Sequence, residues 1–186
     1  MRSALLLGAR AVVGGYLAVH GAQKLFGAFG GPGLDKAAVG FERIGLALGR
    51  QMAVLAGVTE LGGGLLTAAG MADPAGPLAI IGAMTVAAAT HRANGPLAAN
   101  GGYELPLANL AAAAALAAAG PGRARIGPPL PRPLITAAAA IGGIMAAGSL
   151  AKMAKAARTA RASSPVTEPP AQPSQPPNLS QPPKMA

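Results

Sequence analysis

The chain has 186 residues, suited to a single domain, with 52% hydrophobic and 11% charged residues and a formal net charge of +9. Without cysteine, it holds no disulfide, thiolate metal site, iron–sulfur cluster or cysteine nucleophile of its own. Its cations lie between apolar runs and in a C-terminal segment, almost free of interleaved aromatics, a pattern that suits a membrane surface and argues against a nucleic-acid partner.

The first predicted span runs from Ala4 to about Phe29. Arg10 interrupts its early apolar run, which favours an uncleaved span over a removed signal peptide. Arg10, His20 and Lys24 are its groups that can be charged near neutral pH. At 100° per residue, Lys24 falls about 40° and His20 about 80° from Arg10 in the same direction, so the three share one helix face. Each cation near mid-helix costs about 2.5–3.5 kcal/mol in lipid, whereas each Leu, Val or Phe returns only about 0.3–0.6. Such a helix needs partners inside a bundle.

The connection Gly30–Gln51 carries Lys36, Arg43 and Arg50 with Asp35 and Glu42, and its apolar residues fit a short interfacial helix loosely. The second span, Met52–Ala72, holds one charge, Glu60; Asp73-Pro74 then turns the chain. Pro74–Thr90 is uncharged and ends at His91-Arg92. Polar turns around Asn94–Gly95 and Asn100–Gly102 lead to the uncharged run Leu105–Gly122. A Pro/Arg-rich turn precedes a fifth run, Pro133–Ala151, which continues into Lys152, Lys155, Arg158 and Arg161. That basic stripe suits anionic headgroups at about 1 kcal/mol per cation. Residues 162–186 are Pro-, Gln- and Ser-rich and are expected to be disordered, since they have no core to bury. A soluble bundle is disfavoured because the last three apolar runs lack the polar face a soluble helix shows.

The expected fold is therefore all-α: a multi-pass transmembrane helical bundle with a four-helix core over 1–125, an additional helix over 126–161 and a disordered tail over 162–186. Hairpin topology brings His20, Lys24, Glu60, His91 and Glu104 toward one membrane side and leaves Arg10 toward the other. Lys24 and Glu60 come to similar depth with opposite charge, a pair that either fixes packing or forms part of a site. The two His and few carboxylates lack metal-ligand spacing, so no metal is expected. Positive residues outside the spans favour an N-out, C-in orientation.

Arg10 followed by HGAQKLF at His20–Phe26, ELGGGLLTAAG at Glu60–Gly70, GGYELPLANL at Gly101–Leu110 and GPGR at Gly120–Arg123 together resemble the DoxX family of small bacterial membrane proteins, over about residues 5–125. The resemblance implies a four-helix membrane bundle in the plasma membrane and a link to sulfur and redox chemistry. Relatives include a subunit of a thiosulfate:quinone oxidoreductase, and others are tied to complexes for oxidative stress. Arg10, Lys24, Glu60 and Glu104 match the family's polar positions. The acidic residue usual after GPG is absent, and a fifth span and Pro-rich tail are appended. The expected role is an accessory or scaffold subunit of a redox or sulfur-handling membrane complex, with protein partners and the lipid bilayer as its surroundings and no catalysis by this chain alone. Alternatives are a quinone-interacting oxidoreductase subunit and a small transporter. No cofactor is expected to be held covalently, and a diffusible quinone is the one left open.

Overall fold

A computed structural model describes residues 2–46 and 48–163. Among the described residues the fold is all-helical, as the sequence predicts, with six α-helices: α1 (Arg2–Phe26), α2 (Gly33–Arg43), α3 (Gly49–Ala69), α4 (Ala75–His91), α5 (Glu104–Ala119) and α6 (Arg132–Ser163). Three of them are long and apolar enough to cross a membrane: Ser3–Phe26, Gly49–Ala69 and Arg132–Thr159. At 16 residues, α5 is shorter than the run Leu105–Gly122 read from sequence, whereas α4 keeps the 17 residues of its run, shifted by one. Gly120, at a positive φ of 74° that glycine tolerates, stops α5 early. The expected tail lies almost wholly outside the described residues, of which Ala162 and Ser163 belong to the end of α6.

The first helix ends three residues before the predicted limit, at Gly27, whose φ of 69° is a left-handed stop. A short 3₁₀ turn then leads into α2, and the loosely read interfacial segment becomes a regular 11-residue helix. At the far end of α3, Gly70 (φ 62°) closes a paired cap. Gly70 N–H donates to Thr67 O at 3.1 Å and Met71 N–H to Leu66 O at 3.0 Å, which satisfies carbonyls that a helix end otherwise leaves open.

Helices α1 and α3 run antiparallel in the closest contact of the fold, made by glycine. A Cβ on Gly14 would stand 2.5 Å from Gly64 O and 2.6 Å from Ala68 N, and one on Gly57 would stand 2.6 Å from Leu25 Cγ. Without a hydrophobic force between helices in lipid, such small-residue seams permit the backbone approach that dispersion needs. The consecutive glycines Gly62, Gly63 and Gly64 divide the work. Gly64 meets α1 at Ala18, Gly63 meets α4 at Ala79 and Gly76, and Gly62 faces open space. The third helix is thereby wedged between α1 and α4. Leu17, Ile80, Met84 and Ala113 form the buried centre, with Val13, Ile81, Ala83 and Leu110 against them. The fifth helix packs on α4 and touches α1, completing a four-helix arrangement, while α6 lies against α4.

Candidate functional site

The glycine seam sets the register that brings Lys24 opposite Glu60. Gly64 on α3 faces Ala18 on α1, and Gly57 faces Leu25, so the antiparallel helices carry Glu60 to the level of the last turns of α1. There Lys24 Nζ donates to Glu60 Oε2. The Glu60 side chain is only 8% exposed and that of Lys24 22%, so each neutralises a charge that would be costly alone in an apolar setting. One turn deeper, His20 packs edge-on against Tyr16, with ring centroids 4.4 Å apart and planes at 78°.

These groups open onto a cavity of about 610 Å³ that draws lining residues from every one of the six helices, a size suited to a small-molecule ligand. The walls are mainly apolar, among them Leu17, Phe41, Leu55, Leu78, Ile141 and Met145. Polar atoms enter at few points: His20, Lys24 and Glu60 in one group, with Thr59, Thr90, His91, Asn109 and Ser149 elsewhere on the wall. Ser149 is buried, and its hydroxyl donates to Met145 O at 2.9 Å.

Four of the six residues singled out from sequence, His20, Lys24, Glu60 and His91, thus line one cavity. The other two do not. Glu104 is exposed and accepts from Ala98 N–H at 2.9 Å, which ties down the α4–α5 turn. In that same turn His91 Nδ1 lies 2.8 Å from Gly101 O. A carbonyl only accepts, so this nitrogen carries the proton. Asn94 Nδ2 donates to the same carbonyl at 3.0 Å.

Arg10 sits at the opposite end of the bundle, beside Gly70. It is 2% exposed and donates through Nη1 to Pro121 O and through Nη2 to Ala124 O, while its buried Nε has no partner among the described residues. The guanidinium thus pins the segment that follows α5. Ile126 N–H to Ala69 O at 3.2 Å and Leu130 N–H to Asp73 O at 2.9 Å fasten the same segment to the α3–α4 turn. Asp73, buried in that turn, was legible only as a turn residue. Burial pushes its carboxyl above the ordinary Asp value, and the nearby Arg10 and Arg125 cations oppose that shift. The basic stripe of α6 remains at the surface: Lys152, Lys155 and Arg158 are exposed, and the Arg161 side chain falls outside the described residues.

Residues 5–93 match the family model for DoxX. Over these residues the chain is similar to the DoxX family. The match contains Arg10, His20, Lys24, Glu60 and His91 and ends before Glu104, so the motifs at Gly101–Leu110 and Gly120–Arg123 lie beyond it. No curated protein and no solved structure matches the chain. The similarity to DoxX and the apolar helices together point to a membrane protein.

Proposed function

We propose that this protein is a multi-pass plasma-membrane subunit of a redox or oxidative-stress complex, and that its DoxX-like domain takes part by holding a quinone. One observation carries the reading: an apolar cavity of about 610 Å³ with the Lys24–Glu60 pair and His20 grouped on its wall. A quinone fits that donor set. Its ring is apolar on both faces and carries two carbonyl oxygens that accept hydrogen bonds. The Lys24 ammonium has three donors, of which Glu60 uses one. His20 offers a ring N–H on the same face of α1, and the edge of Tyr16 limits how that imidazole turns. Glu60 keeps the lysine charge in place, so the ammonium is oriented before a ligand arrives. When bound, a quinone supplies two-electron, two-proton chemistry. Electrons come from a partner protein in this reading, since the chain has no cysteine and no tryptophan.

The test is quinone content after purification in mild detergent, measured by solvent extraction and absorbance. The expected result is close to one quinone per chain in the wild type and a loss of at least tenfold in Lys24→Met. Content no higher than in an unrelated membrane protein from the same detergent extract would overturn the reading.

A further inference from the structure

The cavity is not closed on the side of α6. This helix packs on α4, yet the cavity lies between α6 and residues of α1, α2 and α3, including Tyr16, Phe41 and Leu55. Ile141 and Met145 line the cavity while remaining 59% and 46% exposed, and Tyr16 on α1 is 42% exposed. A side chain that faces a cavity and is also exposed marks an opening. The depth of that opening decides what lies outside it. Ile141 stands midway along the uncharged run between Arg132 and Lys152, and Tyr16 stands near the centre of Ser3–Phe26. At that depth the surroundings of a membrane helix are acyl chains.

We infer that the cavity opens sideways into the bilayer along α6 and takes a membrane-dissolved ligand whose apolar tail lies on α6, between Ala138 and Ser149. This rests on the quinone reading and narrows it to tailed quinones. The lining residues of α6 extend from Ala138 to Ser149, about 16 Å at 1.5 Å per residue. That exceeds the length of a single ring, so a ring beside Lys24 leaves wall to spare. Gly142, at the middle of this strip, has open space where a Cβ would stand. Its small size keeps the tail path free. The sequence of the ligand's contacts is then fixed: the head oxygens meet Lys24 and His20, and the tail leaves past Gly142 and Ile141 to the lipid.

The chain has no tryptophan, so Ile141→Trp provides a single reporter in the full-length protein reconstituted in lipid nanodiscs. Brominated acyl-chain phospholipids are expected to quench it, and aqueous iodide is not. Quenching by iodide with none by brominated lipid would overturn a bilayer opening, and so would shielding from both. In binding measurements, Gly142→Leu is expected to weaken a decyl-tailed benzoquinone at least tenfold and the same ring without its tail less than twofold. Thermal unfolding checks that the variant remains folded. Equal losses for both ligands would overturn the tail path but leave the quinone site standing. Failure of the wild type to bind either ligand would overturn the quinone site and the tail path together.

Discussion

Lys24 and Glu60 form a pair in which each residue makes the other tolerable. Lys24→Met strands a buried carboxylate and Glu60→Gln strands a partly buried ammonium. Breaking such a pair from one side typically costs about 3–5 kcal/mol, less when the survivor neutralises itself by proton uptake or loss. Each single variant is therefore expected to lower the unfolding temperature in detergent, and the double variant to recover much of the loss. Additive losses would show that the two do not interact directly. Asp73 behaves oppositely. Its folded pKa is raised by burial, so its contribution to stability is fully present below the unfolded Asp value and is lost as pH rises through the folded one. Asp73→Asn should flatten the pH dependence of the unfolding temperature on the acid side and leave it equal or higher at pH 7. A lower unfolding temperature at pH 7 would instead mean that the carboxylate is needed to hold Arg10. The pairing of Lys24 with Glu60 could be anticipated from charge and depth. The seat of Arg10 could not, because its partners are the backbone carbonyls of Pro121 and Ala124, and a carbonyl carries no side-chain signature.

Among the elements, the glycine seam is the feature most exposed to mutation. The three consecutive glycines of α3 supply an internal control, since they share one helix and differ in what they face. A Cβ on Gly62 meets nothing, whereas one on Gly64 would stand 2.5 Å from Ala18 N and Gly14 O. Gly62→Ala is expected to be neutral or to stabilise by up to about 1 kcal/mol through helix propensity. Gly64→Ala should destabilise by about 1–3 kcal/mol, because α1 and α3 must move apart. Equal unfolding temperatures for the two variants in detergent would show that the seam does not hold the helices. Helix identity was legible for the five apolar runs, which leave few alternatives. Which glycine faces which helix was not, because composition marks Gly62, Gly63 and Gly64 alike and only the register tells them apart. The short interfacial helix was read loosely because the reading ran over the whole connection Gly30–Gln51, whereas the amphipathic pattern belongs to the 11 residues of α2 that pack on α3.

At the scale of the whole molecule, the two ends of the bundle have different roles. At one end Arg10 and two backbone hydrogen bonds fasten the segment between α5 and α6 across the α3–α4 turn. Toward the other, the helices part around a cavity. The cavity was out of reach of sequence reasoning because it depends on α6 packing along α4 and leaving its opposite flank open. The expected placement in the membrane follows from charge. Lys36, Arg43, Arg50, Arg92 and the basic end of α6 fall on one side of the bundle, which favours a cytoplasmic C-terminus. A reporter fused after Arg161 is expected to be active only in a cytoplasmic form. The proposal that the DoxX-like domain holds a quinone through its buried ion pair is tested most directly by the Lys24→Met/Glu60→Gln double variant, purified and assayed for bound quinone. The charge-free pair should restore folding while removing the oriented ammonium, so the expected result is a stable protein with at least tenfold less quinone than the wild type. A stable double variant that retains the wild-type amount would contradict the proposal and leave the pair a packing device.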